Sequence, residues 1–250
     1  MNWRDYWNRD TPIYVSERHK VLHYRLVASD IAALVPSPEA QVLDHGCGEA
    51  LSAGRVAARC GRLYLCDAAP LVRERLRDRF GDDPKIEVLA PEEIGRLPDG
   101  SLDLVVPNSL LQYLSRDELR GLLRLWRAKL KRDGRLVLAD VIPPTLSPVT
   151  DAQALLGFGW KGGFAVRAVF GLVRTALSDY RRIRRELGLS TYAESEMIEL
   201  LRAEGFSAAR RAKNIGHNQA RMSFEARPTS PGDRARLGEP GRGEGSAVSG

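Results

Sequence analysis

The sequence predicts an α/β fold: a seven-stranded sheet, mostly parallel with a C-terminal antiparallel hairpin, and helices on both faces. Three observations predict it. Short apolar, strand-like runs alternate with helix-like segments from residue 42 to residue 139. That alternation specifies a parallel sheet covered on both sides. A glycine-bearing turn, Asp44-His45-Gly46-Cys47-Gly48, follows the first run and opens a helix. Two further runs near the end, separated by a short polar turn, read as a hairpin.

Each element has its own justification. Residues 16–34 form a helix: Ser16 caps it, Glu17 sits in the first turn, and Val21, Tyr24, Leu26, Val27 and Ile31 supply a broad apolar face. Pro36 and Pro38 end it. Val42 and Leu43 lie in the first strand, and residues 50–60 suit a helix. Leu63 to Cys66 make the second strand, and 70–80 an amphipathic helix closed by Gly81. Ile86 to Leu89 give the third strand and Leu102 to Val106 the fourth. Helix 115–131 opens with Ser115 and Glu118, a capping box. Arg135 to Ala139 follow the Asp133-Gly134 turn as the fifth strand. Pro143, Pro144 and Pro148 then break the pattern, and 149–187 read as a helical excursion. A helix over 194–204 stops at Gly205, and Ser207–Arg211 with Ala220–Ala226 form the hairpin. The chain therefore divides into an N-terminal helical cover (1–38), a main domain (39–227) with a helical insertion at about 145–190, and a tail. The tail, 228–250, has too few large apolar side chains to offset chain entropy and is expected to be disordered.

With 250 residues, 43% of them hydrophobic, the chain is long enough for one large core. The net charge of +6 is local: seven basic residues between Lys161 and Arg185 (Lys161, Arg167, Arg174, Arg181, Arg182, Arg184, Arg185), against Asp179 alone, carry all of it. Within 164–187, Val166, Phe170, Val173, Leu177, Tyr180, Ile183 and Leu187 form an apolar stripe beside the row Arg167, Arg174, Arg181. Two readings stay open: a helix making peripheral contact with an anionic membrane, or a substrate-covering helix with its arginines in water. Cys47, Cys60 and Cys66 form an odd set without metal spacing, which suits a reducing compartment. No apolar run approaches the roughly 18–20 residues of a bilayer span, and no leader pattern is visible. A cytoplasmic location is expected.

The chemistry-bearing signal is the turn after the first strand. Two glycines let backbone pass close to a ligand with no Cβ in the way. Asp67, twenty-three residues after Asp44, ends the second strand, where a carboxylate can accept bonds from both hydroxyls of a ribose. A dinucleotide fingerprint would place a third glycine where Leu51 stands. The loop instead resembles the Asp-x-Gly-Cys-Gly loop of class I S-adenosylmethionine-dependent methyltransferases. The resemblance spans roughly residues 40–140 and includes Leu97-Pro98-Asp99-Gly100-Ser101-Leu102-Asp103-Leu104-Val105 and Leu130-Lys131-Arg132-Asp133-Gly134-Arg135-Leu136.

That resemblance implies a Rossmann-like fold and S-adenosyl-L-methionine as cofactor. It implies that Gly46 and Gly48 face the methionyl part through their backbone, flanked by Cys47, with Asp44 orienting the loop. It further implies that Asp67, beside Ala68, holds the ribose, and that Pro107, Asn108 and Ser109 border the sulfonium and the acceptor. Pro91 stands where relatives often carry an acid near the adenine, so Glu92 or backbone must substitute. Ala50 replaces a common glycine, a change expected to cost little. Strand four ends in Pro107-Asn108-Ser109-Leu110 rather than the Asn-Pro-Pro-aromatic signature of base methylation, which argues against a nucleic-acid acceptor.

His217, in Asn214-Ile215-Gly216-His217-Asn218, is the candidate base, set against a plain solvated turn histidine. His19 and His23, four apart, share one helix face and either roof the site or serve the structure. Tyr14, Tyr113 and Trp160 are candidate acceptor contacts, and Trp3, Tyr6 and Trp7 a cover or plain packing. Phe158, Trp160, Phe164 and Phe170 in the insertion favour a small, apolar or lipid-like acceptor, methylated at oxygen or carbon rather than planar nitrogen. The alternatives are a non-catalytic cofactor-binding module at a membrane surface, and a nucleic-acid methyltransferase.

Overall fold

The computed structural model describes residues 16–163 and 189–229. Tyr14, Trp3, Tyr6, Trp7, the 164–187 stripe and the tail from residue 230 lie outside the described residues. The elements are α1 (Glu17–Ala32), β1 (Gln41–His45), α2 (Gly54–Ala57), β2 (Arg62–Cys66), α3 (Pro70–Phe80), β3 (Ile86–Leu89), β4 (Leu102–Pro107), α4 (Arg116–Lys129), β5 (Leu130–Val141), α5 (Pro148–Gly162), α6 (Glu194–Ala203), β6 (Phe206–Arg210) and β7 (Met222–Pro228). Short 3-10 turns cover Pro91–Arg96 and Leu111–Tyr113.

The strands form one sheet in the order β3-β2-β1-β4-β5-β7-β6, parallel through β5 and antiparallel at β7 and β6. The central strands are buried on both faces, so successive residues alternate between two cores. Val42 and Leu104 pack with Ile31 and Leu76 on one side. Leu43 and Val105 pack with Trp126, Tyr192 and Phe224 on the other. The strand order reverses at β1, whose neighbours are β2 and β4. The crevice beyond the strand ends at such a switch point is where open α/β sheets bind ligands.

Two helices start as their caps dictate. The Ser16 side chain accepts the His19 N–H, and Ser115 and Glu118 close a reciprocal capping box on α4. Three expectations are corrected. The helix over 50–60 shrinks to Gly54–Ala57, because the chain leaves β1 through left-handed residues as far as Ala50 (φ 39°) and cannot coil sooner. Asp133-Gly134 is not a turn but part of β5. Leu102 pairs with Leu130 and Leu104 with Arg135, so the extra β5 residues are absorbed as an irregularity in the ladder. Pro148, expected to interrupt the chain just before the excursion at 149, instead opens α5 behind the cap Ser147, and α5 closes on left-handed Gly163. Among the described residues no helix is long and apolar enough to cross a membrane.

Trp126 ties the core to the loop after β1. It is fully buried, and its indole N–H donates to His45 Nδ1 at 3.1 Å. Burial lowers the His45 pKa to about 4, so the ring is neutral and its proton sits on Nε2. Trp126→Phe removes the donor and part of the packing; it is expected to lower unfolding free energy by about 1–3 kcal/mol, read by urea denaturation. An unchanged midpoint would show that the bond carries no weight.

Candidate active site

The loop after β1 is built from residues with unusual backbone. Gly46 has φ 80° and Gly48 φ 57°. A Cβ at Gly46 would stand 3.2 Å from Leu110, and one at Gly48 2.7 Å from the Tyr24 hydroxyl. Both the torsions and the space therefore demand glycine. The N–H groups of Gly46 and Cys47 donate to the Cys66 carbonyl (2.7 and 3.1 Å), which fastens the loop to β2. Asp67, just past β2, accepts the Gly48 N–H at 3.0 Å on one carboxylate oxygen and the Ala69 N–H at 2.8 Å on the other. Arg73 donates to the Asp67 and Ala68 carbonyls and fixes the turn from behind. From above, α1 holds the same loop: the Tyr24 hydroxyl accepts the Glu49 N–H (3.0 Å), and Lys20 pairs with Glu49 (2.6 Å). Ala50, expected to be an inexpensive exchange for glycine, is left-handed and costs about 1–2 kcal/mol that glycine would not.

Two carboxyls face this loop, Asp44 buried and Asp67 half-buried. Burial, then repulsion from Asp67, pushes the Asp44 carboxyl up to about 7. Burial also raises Asp67, opposed by the N–H groups of Ala69 and Gly48. The Cys47 thiol is raised well above its ordinary range by burial and by both aspartates.

The loop opens on a cavity of about 650 Å³. Asp44, Gly46, Cys47, Gly48, Asp67, Ala68 and Asn108 line it, as do Tyr113 and His217. The structure thus brings together most of the residues singled out from sequence. The Asn108 Oδ1 atom is buried and has no hydrogen-bond partner among the described residues. Glu92 is exposed on its 3-10 turn and stays outside the wall, which takes Pro91 instead. Trp160, expected to wall the acceptor, is 82% exposed and is not part of the lining. On α5 it stands two residues, roughly 200° of helix, past Phe158, which is the aromatic that turns inward.

Phe158 stacks on His217 at 4.6 Å and 15°. His19 and His23 stand edge-on to His217, with ring centroids at 6.3 and 6.0 Å, and 6.4 Å from each other. Burial and then the His217 ring hold His19 down to about 4 and His23 to about 3, so both are neutral at physiological pH. Among the described residues no three His, Cys, Asp or Glu side chains are placed to hold a metal ion.

A polar cluster lies at the ends of β4 and β5. Arg221 Nη1 donates to Asp140 Oδ2 at 2.7 Å, and the Ser109 hydroxyl donates to the same oxygen at 2.7 Å. Ser109 (φ 57°) and Asp140 (φ 60°) are both left-handed without being glycine, at a cost of order 1–3 kcal/mol each.

A family profile described as a methyltransferase domain matches residues 43–138, the stretch that runs from the glycine loop through β5. Residues 43–138 are therefore a methyltransferase domain. A protein of Mycobacterium tuberculosis designated an uncharacterized methyltransferase is 29% identical over 125 residues, half of this chain. The match spans 61% of that relative's length. Among solved structures, a Haloferax volcanii methyltransferase in complex with its Trm112 activator superposes with a TM-score of 0.58, at 16% identity over 92% of this chain and 99% of the other. Magnesium protoporphyrin IX methyltransferase from Synechocystis PCC 6803, solved with bound SAH, gives 0.55 at 20% identity over 91% and 93%. These two likenesses show a common fold.

Sequence reading missed several residues of this methyltransferase domain. Tyr24 was read as core, yet its hydroxyl closes on the glycine loop. Arg221, Gln112 and Asp140 were not singled out. An acid directly after the apolar run Leu136–Ala139 was the one available signal for Asp140.

Proposed function

We propose that the chain is an S-adenosylmethionine-dependent methyltransferase that acts by direct displacement on a small, apolar or lipid-like acceptor, at oxygen or carbon. The observation that carries this reading is one cavity lined by two unlike sets of groups. Left-handed glycines and the Asp44–Asp67 carboxyl pair line it together with the imidazoles of His19, His23 and His217. The donor set fits a cationic cofactor: two acids in low dielectric, a buried unpartnered Asn108 oxygen, and backbone cleared of any Cβ. When bound, the cofactor supplies a methyl carbon already activated by a positive sulfur.

The chain's own residues do the rest. Asp67 has carboxylate lone pairs beyond the two used by Gly48 and Ala69, and would accept the ribose hydroxyls. Gly46, Cys47 and Gly48 would present backbone to the methionyl part. Ala68 and Pro91, at the ends of adjacent β2 and β3, would wall the space beside Asp67. Asn108 Oδ1 would accept from the cofactor's ammonium. Tyr113 lines the cavity and would exclude water beside the acceptor, while Phe158 backs His217. His217, held flat by Phe158, takes the proton of an acceptor hydroxyl or acidic carbon. His19 and His23, lowered to about 4 and about 3, are weaker bases than an ordinary imidazole.

The test is calorimetric titration of S-adenosylmethionine into the full chain across pH. Raised pKa means that the folded state binds the Asp44 proton more tightly than the unfolded chain. Asp44 therefore adds stability below about pH 4, and that contribution is lost as pH rises through about 7. Cofactor binding runs the other way, because the cation favours the ionised carboxyl. Affinity is expected to be about tenfold weaker at pH 6 than at pH 8, the ratio set by one carboxyl titrating near 7. Absence of binding at every pH would remove the methyltransferase reading.

A further inference from the structure

Gln112 is a polar side chain of the cavity wall that neither the cofactor loop nor the proton transfer uses. It sits on the 3-10 turn after β4 and is only 8% exposed. The turn is strapped in place: the Gln112 carbonyl accepts the Ser190 N–H at 3.0 Å, and the Ser190 hydroxyl donates to the Leu114 carbonyl at 2.7 Å. The side-chain amide is oriented as well. Arg221 Nη1 donates to Gln112 Oε1 at 3.4 Å, and a guanidinium has donors only, so the oxygen is the atom that faces it. The Gln112 Nε2 group is therefore turned the other way, and it makes no hydrogen bond among the described residues.

Position decides which ligand this amide meets. The strand order places β2 on one side of β1, and β4, β5 and β7 on the other. Asp67, the ribose anchor, follows β2. Gln112 follows β4, and the arginine that orients it directly precedes β7. The amide thus stands across β1 from Asp67, lining the same cavity as His217 of the β6–β7 connection. Much of the wall is leucine: Leu110, Leu114, Leu122 and Leu125. A molecule that covers the amide strips it of water and must bring an acceptor atom, or leave a buried donor unpaired. The charge behind the amide is offset, because Arg221 also donates to Asp140 at 2.7 Å. A neutral oxygen therefore suits the position better than an anion. Arg221 polarises the amide and strengthens its N–H as a donor.

We propose that the Gln112 amide N–H donates to a carbonyl oxygen of the acceptor, so that the substrate class is an apolar molecule carrying a ketone or an ester. Its hydrocarbon part lies on the leucines, and its oxygen is fixed by Nε2. Gln112 thereby reads the one feature that separates such a molecule from a hydrocarbon of the same shape. The inference rests on the methyltransferase reading only for calling the bound molecule an acceptor.

The test uses the full chain loaded with S-adenosylhomocysteine, which has no methyl group to transfer. Benzylacetone is compared with butylbenzene, and indanone with indane, by calorimetry on the wild type, Gln112→Met and Gln112→Glu. Methionine fills the space of the amide without a donor. Ionised glutamate keeps an oxygen for Arg221 but has no N–H. For at least one pair, the ketone-to-hydrocarbon affinity ratio is expected to fall roughly tenfold in both variants, the scale of one buried hydrogen bond. S-adenosylhomocysteine affinity should stay in place, and the infrared carbonyl stretch of the bound ketone should lie lower on the wild type than on Gln112→Met. A ratio unchanged in either variant, a carbonyl stretch that does not move, or binding of neither ketone to the wild type overturns the proposal. So does a loss confined to S-adenosylhomocysteine, which would assign the amide to the cofactor. The wild-type S-adenosylhomocysteine affinity reports separately: its absence would sink the methyltransferase reading, and the ketone-to-hydrocarbon comparison would still be read on the protein alone.

Discussion

Asp67→Ala is expected to weaken S-adenosylmethionine binding by about 100-fold or more, because hydrogen bonds to a charged group contribute about 1.5–3 kcal/mol each and two ribose hydroxyls lose theirs. The substitution also releases the Gly48 and Ala69 N–H groups, while the Gly46 and Cys47 bonds to the Cys66 carbonyl still fasten the loop to β2. The fold survives. Burial raises the Asp67 carboxyl, so its charge is a cost to the folded state, and removing it offsets the lost backbone bonds. Asp67→Asn should be intermediate, since one amide oxygen still accepts. Calorimetry on the three proteins, with circular dichroism as the control for folding, gives the answer. A dissociation constant for Asp67→Ala within threefold of the wild type would exclude Asp67 as the ribose anchor.

His217→Gln is expected to lower kcat by about 100- to 10,000-fold, the usual contribution of a positioned general base. Cofactor affinity should not change. Glutamine keeps the side chain's bulk against Phe158 and His19 but has no basic nitrogen. The measurement is S-adenosylhomocysteine release, with the acceptor that a screen of small apolar and lipid-like molecules yields, over a range of pH. A true base also imposes an acid limb on the kcat profile, and that limb should flatten in the variant. If kcat falls by less than about twofold, the proton leaves by another route and His217 is only a wall.

The strands were legible because a parallel sheet buried on both faces needs unbroken apolar runs, and Leu63–Cys66 and Leu104–Val106 are such runs. The caps at Ser16 and Ser115 were legible because their partners lie three residues away. The loop from Asp44 to Gly48 and the acid at Asp67 were readable for a similar reason: glycine torsions and a strand-end carboxyl are local features. Other parts depend on contacts that no window of sequence contains. Asp133-Gly134 has turn chemistry, and only its pairing with β4 reveals a ladder irregularity. The α5 helix carries Gly157, Gly159 and Gly162 among its aromatics, so its apolar phase is weak and Trp160 was as plausible an inward residue as Phe158. Arg221 meets Asp140 only through the antiparallel pairing of β7 with β5. Left-handed torsions at Ser109 and Asp140 leave no mark in residue type.

Helix α1 has two clients. Tyr24 and Lys20 hold it to the glycine loop, while the Arg18 Nε–H donates to the Gly162 carbonyl and His19 packs on Phe158 of α5. Re-engineering this domain for larger acceptors would therefore meet an asymmetry between its walls. Libraries that carve space from α1 would shift cofactor affinity along with acceptor choice, and screening for turnover alone would confound the two. Leu122 and Leu125 border the same cavity from α4 with side chains that form no hydrogen bond. They are the positions at which selectivity can be evolved with the cofactor loop left as it is.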